Sequence, residues 1–242
     1  GWSFTTWNAK ADGSGSTTYS GGYVTNLTST NKATVPLYAQ WKPNVYMLIL
    51  DEQYATVSGT SVVYEKYDHA WYKEKTAETA TTKISVPSKI GMKFSGYYTK
   101  KNGAGTKYID AGGNIVAKTN AFDTDVRVYA YWTPDVYKIT LDNQDAVSSG
   151  TTQMYEKYGV GFFTTELCVS NFTNGKITIP KKNNYKFGGY YTEQNTWKTS
   201  NGEEIISADG RIKDVNTKFT ADTTLYAKWI PVDYTINLEN GN

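Results

Sequence analysis

Leu37-Tyr38-Ala39-Gln40-Trp41 returns as Val128-Tyr129-Ala130-Tyr131-Trp132 and again as Leu225-Tyr226-Ala227-Lys228-Trp229. The three tryptophans stand 91 and 97 residues apart. A near-constant period of this length is the mark of a folded unit copied in tandem. It favours a rod, a spacer or a multivalent surface over a single active site, because catalysis has no need of several successive copies of one constellation.

Working outward from the tryptophans, the rest of the period repeats too. Five residues after each Trp, a Tyr opens a strand-like run: Tyr46 to Asp51, Tyr137 to Asp142 and Tyr234 to Glu239. Tyr64-Glu65-Lys66-Tyr67 recurs as Tyr155-Glu156-Lys157-Tyr158 at an offset of 91. Phe94-Ser95-Gly96-Tyr97-Tyr98-Thr99 recurs as Phe187-Gly188-Gly189-Tyr190-Tyr191-Thr192 at an offset of 93, and its earliest form is Phe4-Thr5-Thr6-Trp7-Asn8. The growing offset places two extra residues before the Phe and four after it in the last full period, where surface loops are expected. The expected division is therefore the rear part of one copy at 1–41, full copies at 42–132 and 133–229, and the first strand of another at 230–242. Within a copy, the short apolar run Tyr46-Met47-Leu48-Ile49-Leu50 and the alternating Thr60 to Tyr67 predict a β-hairpin around Gly59. Alternation puts Val63, Glu65 and Tyr67 on one face. Residues 69–80 have a helix-tolerant composition that fits a short helix or an irregular crossing, and Lys83 to Pro87 reads as a short extended edge. Pro43, Pro134 and Pro231 stiffen the short connectors between copies.

Composition points the same way. The chain holds 21 Tyr, 7 Trp and 8 Phe in 242 residues, and aromatic side chains suit half-buried pleated sheet. The expected fold is mainly β, with α+β as the limit. Lys and Arg number 25 against 23 Asp and Glu, so there is no basic footprint for nucleic acid. No apolar run is long enough to span a bilayer as a helix, so no membrane insertion is expected in this segment. A single cysteine, Cys168, rules out an intramolecular disulfide and reads as a small buried apolar residue.

Together, Phe-x-Gly-Tyr-Tyr-Thr and Leu-Tyr-Ala-x-Trp resemble the Listeria–Bacteroides repeat, the family of the internalin B-repeat of bacterial surface proteins. The resemblance rests on Phe94, Gly96, Tyr97, Tyr129, Ala130 and Trp132, then Phe187, Gly189, Tyr190, Tyr226, Ala227 and Trp229, and in the first copy Phe4, Trp7, Tyr38, Ala39 and Trp41. The first copy departs by carrying Thr6 in the place of the Gly. The resemblance implies a β-grasp-like fold, an extracellular position on a bacterial surface, and an adhesion or spacer role without catalytic residues.

The residues that could carry chemistry have plainer readings. His69 is the only histidine, which removes Ser-His-Asp, Cys-His and multi-His sites within one chain. Asp12-Gly13-Ser14-Gly15 and Asp123-Thr124-Asp125 lack the spacing of a calcium loop, and turn chemistry accounts for both. The glycines at 101–105 and 111–113 lack the Lys-Ser/Thr and helix of a phosphate cradle. No catalytic residue, cofactor-binding residue or metal site is expected. The expected partners are neighbouring copies, or further copies of the chain arranged head to tail with Tyr234 to Leu238 as an added strand, and alternatively a host protein or glycan.

Overall fold

The computed structural model describes residues 1–15, 18–19, 27–194, 202–213, 218–236 and 238. The fold is mainly β. Among these residues the only helical element is a single 3-10 turn, Thr173–Gly175. The chain divides into two compact units, Gly1–Lys89 with Phe94–Trp132, and Ile90–Lys93 with Thr133–Asn242.

The first unit opens with a small sheet of β1 (Trp2–Asn8), β2 (Thr18–Tyr19) and β3 (Tyr38–Pro43), in the order β2-β1-β3. Then follow β4 (Val45–Asp51), β5 (Val62–Lys66), β6 (Ala70–Tyr72), β7 (Met92–Tyr98), β8 (Lys107–Ile109) and β9 (Val126–Pro134). They form a six-stranded sheet in the order β6-β5-β4-β9-β7-β8. The β4–β5 hairpin has the alternation its sequence predicts, pairing Val45 with Lys66 and Ile49 with Val62. At the sheet's centre β4 and β9 run parallel, with Leu48 opposite Val126 and Asp51 opposite Tyr129.

In the second unit β10 (Val136–Asp142), β11 (Gln153–Lys157), β12 (Gly161–Phe163), β13 (Tyr185–Tyr191), β14 (Glu204–Ile206) and β15 (Thr223–Pro231) form another six-stranded sheet. Its order, β12-β11-β10-β15-β13-β14, is strand for strand that of the first. The parallel pair is again central, with Ile139 opposite Thr223 and Asp142 opposite Tyr226. Isolated bridges correspond as well, Val57–Ser88 with Ser148–Lys181 and Lys83–Asn114 with Lys176–Arg211. The two residues added ahead of Phe187 fall between the bridges Phe163–Asn171 and Lys176–Arg211, where the 3-10 turn takes up the slack outside the ladder. The four added after it fall between β13 and β14, a stretch that includes residues outside the described set.

Each six-stranded sheet buries its own core. In the first, Leu48, Val63, Tyr97, Ile109 and Val128 are essentially inaccessible. In the second, Ile139, Met154, Tyr190, Ile206 and Leu225 take the matching places. Gly96 and Gly189 explain the conserved Phe-x-Gly spacing within the chain. Their φ values of 124° and 107° lie where L side chains rarely go, and a Cβ would come within 2.4 Å of the Ile109 carbonyl oxygen or 2.5 Å of that of Ile206.

Three readings are revised. Of the short helix and the irregular crossing open to residues 69–80, the helix does not form. Ala70–Tyr72 is an edge strand on β5 that carries Trp71 into the core, and turns follow it. Lys83 to Pro87 contributes one isolated bridge, Lys83 with Asn114, and no strand. Cys168 is not a core residue; it sits partly exposed in a turn with φ of 52°, its thiol directed at the Glu166 carbonyl.

Candidate functional site

The residues that recur in sequence meet in space as an aromatic triad. Phe94 lies 5.2 Å from Tyr97 and 5.5 Å from Trp132, ring centre to ring centre, both in edge-on contact. Phe187, Tyr190 and Trp229 reproduce this at 5.2 and 5.8 Å. Phe4, Trp7 and Trp41 form a third triad at 5.7 Å for both contacts, edge-on between Phe4 and Trp41 and tilted between Phe4 and Trp7. Pairing of the strands sets the arrangement: Phe187 faces Trp229, and a bulge then brings Tyr190 opposite Ala227, as Phe4 faces Trp41 and Trp7 faces Ala39. Such edge-on contacts add about 0.5–1.5 kcal/mol per pair beyond the area they bury.

Surroundings separate the three triads. Trp132 is 9% exposed and Tyr97 fully buried, whereas Trp7 is 41% and Trp41 57% exposed. β9 pairs on both sides, and Trp132 also meets the Glu52 carbonyl and Lys89; among the described residues β3 pairs with β1 alone. Trp2, on the same face of β1 as Phe4, extends the open aromatic face, whereas Tyr38 lies on the other face of β3. At the other end, Tyr234, Ile236 and Leu238 join no strand and are 71%, 80% and 92% exposed. The counterparts of Ile236 and Leu238, Ile139 and Leu141, are buried in the second sheet, and that of Tyr234, Tyr137, is partly buried.

A second recurring feature is a buried carboxyl. Glu65 and Glu156, from the Tyr-Glu-Lys-Tyr motif, are inaccessible to solvent. Glu156 accepts the Phe219 amide at 2.9 Å through Oε2, while its Oε1 and both oxygens of Glu65 find no hydrogen bond of normal geometry. Burial pushes the Glu65 carboxyl up to about 7, against an opposing influence of the Ala121 backbone. Burial raises Glu156 too, opposed by the Phe219 amide and, more weakly, by Lys218. Alternation along β5 had placed Glu65 with Val63; what the sequence withheld was that this face is closed over.

The remaining candidates are ordinary. His69 is exposed, its Nδ1 near the Tyr67 carbonyl and its ring edge-on to Trp2. Asp12 accepts the amide and hydroxyl of Ser14 in a local turn, which also lowers its pKa. Asp125 accepts the Met47 amide at 2.8 Å, so it serves the strand pairing. Among the described residues no group of three or more His, Cys, Asp or Glu is placed to hold a metal.

No family model matches the chain, and no solved structure matches it. Among curated proteins, a chain of Evansella cellulosilytica, provisionally named a Gly-rich membrane protein, is 25% identical over 249 aligned positions. The alignment takes in 99% of this chain but 23% of that protein. Among the described residues no helix is long and apolar enough to cross a membrane.

Proposed function

We propose that the chain is a non-catalytic tandem-repeat segment of a bacterial surface protein, acting as a stalk or spacer. In this reading 42–132 and 133–229 are full copies of one β-grasp-like unit without its helix, 1–41 is the rear of a copy, and 230–242 begins another. The observation that carries it is the identity of strand order and register in the two six-stranded sheets, reached at the same offsets of 91, 93 and 97 that the sequence shows. What recurs is framework, namely strand order, core aromatics and one carboxyl closed off from solvent, and such a unit suits a part that supplies length. The relative named as a membrane protein, of which this chain spans less than a quarter, is compatible with a segment of a larger envelope protein. The resemblance to the Listeria–Bacteroides repeat supports an extracellular position.

The open aromatic face bears on partners. Beside it runs the edge of β3 that corresponds to the edge of β9 and β15 on which β4 and β10 pair, so in this reading a front hairpin of a further copy would add there. The alternative reading is an adhesin in which Trp2, Trp7 and Trp41 stack on a host glycan or protein. One experiment separates them. Residues 42–90 are fused ahead of Gly1 to restore a full period, and both forms are immobilised and offered glycans and host matrix proteins. The spacer reading expects the fusion to shift tryptophan emission to the blue, and neither form to retain a ligand saturably. Saturable retention that Trp41→Ala abolishes would establish the adhesin instead.

A further inference from the structure

We propose that each six-stranded sheet is a mechanical clamp, built to hold its unit closed when the chain is pulled along its length. The chain enters the first sheet on β4 and leaves it on β9, and these two strands are adjacent and parallel. It enters the second on β10 and leaves on β15, again adjacent and parallel. Tension applied at the start of one strand and the end of its parallel neighbour slides them in opposite directions along their own axes. All the bonds of the ladder, from Leu48 opposite Val126 to Asp51 opposite Tyr129, are then loaded together instead of being opened one after another.

The same two side-chain pins flank the ladder in both sheets. At its beginning, Asp125 Oδ1 accepts the Met47 amide at 2.8 Å, and Asp222 Oδ1 accepts the Lys138 amide at 2.9 Å. A carboxylate acceptor makes each of these stronger than a neutral backbone bond. At its far end, Trp132 Nε1–H donates to the Glu52 carbonyl at 3.0 Å, and Trp229 Nε1–H to that of Asn143 at 3.0 Å. Every pin joins the last strand of a unit to its first, so sliding must break pins and ladder at once. Inside the first unit the small sheet supplies the contrast. There β1 and β3 are antiparallel with Trp2 opposite Pro43, so a pull on Gly1 against Pro43 peels the pair from one end.

The clamp deepens the spacer reading by giving the unit a reason to resist tension, and its test needs no ligand or host. The full chain, with Cys168→Ser and terminal handles, is stretched one molecule at a time. The small sheet should open at low force. Two events at several-fold higher force should follow, each releasing roughly 90 residues, or about 300 Å of chain at the extended length per residue. Handles at Lys42→Cys and Thr124→Cys instead load β4 and β9 from the same end, and should open the first large sheet at low force. Asp125→Ala should lower the force of one of the two events in the end-to-end pull and leave the other unchanged. Equal forces in the two geometries, or low-force opening of both large sheets from the chain ends, would overturn the clamp. Either result would leave the spacer reading standing, whereas saturable ligand binding would remove that reading and leave the clamp intact.

Discussion

Trp132→Ala is expected to destabilise the first unit by roughly 3–5 kcal/mol, the range for deleting a large core aromatic. Trp132 is 9% exposed, packs edge-on against Phe94, has Lys89 over its ring, and donates its indole N–H to the Glu52 carbonyl. Alanine would leave a cavity at the foot of the parallel pair and an unpaired carbonyl beside it. The matching change at Trp41 should be near neutral, within about 0.5 kcal/mol, because that ring is 57% exposed. Urea unfolding followed by circular dichroism, which does not depend on the deleted fluorophore, measures both. Equal costs at the two positions would show that the sheets do not differ as described.

The chain should be more stable near pH 5 than near pH 8, the reverse of what ion-paired carboxylates produce. Glu65 titrates near 4.5 in an exposed chain and at about 7 when folded, so the folded state holds its proton more tightly. Its stabilising contribution is complete below about 4.5 and is lost as pH rises through about 7. The loss amounts to about 3 kcal/mol for a shift of this size. Glu156 moves in the same direction. Replacing both by glutamine keeps their shape and removes the ionisation, so the melting temperature should become flat between pH 5 and 8. The comparison is made on a His69→Asn background, so that the lone histidine takes no part in it. A slope that survives the double replacement would refute a buried, proton-holding pair.

What could be read from the sequence was whatever repeats locally. The β4–β5 hairpin follows from alternation between Thr60 and Tyr67, and β7 and β9 from the motifs that open and close each period. The helix-tolerant stretch at 69–80 was decided by tertiary contact: Trp71 enters the core as part of an edge strand, and no apolar face with helical spacing was there to oppose it. The parallel pairing of β4 with β9 joins residues about 78 positions apart, and no local pattern reports it. Identical motifs also concealed unequal burial. Phe4, Trp7 and Trp41 look like core because Phe94, Tyr97 and Trp132 are core, but burial depends on surroundings that the motif does not contain. Glu65 shows the converse. Alternation placed it on the inner face, yet nothing in its own identity announced a carboxyl closed off from water. Cys168, small and flanked by Leu167 and Val169, resembled a core residue until its turn conformation placed it outside.

Residue-by-residue amide hydrogen exchange on the intact chain tests the central claim, that one unit occurs twice in full, most directly. The account predicts slow exchange in β4, β5, β7 and β9, repeated in β10, β11, β13 and β15 at offsets of 91, 91, 93 and 97, with β6 and β12 both fast as edges. Protection that does not map from one set to the other at those offsets would contradict it.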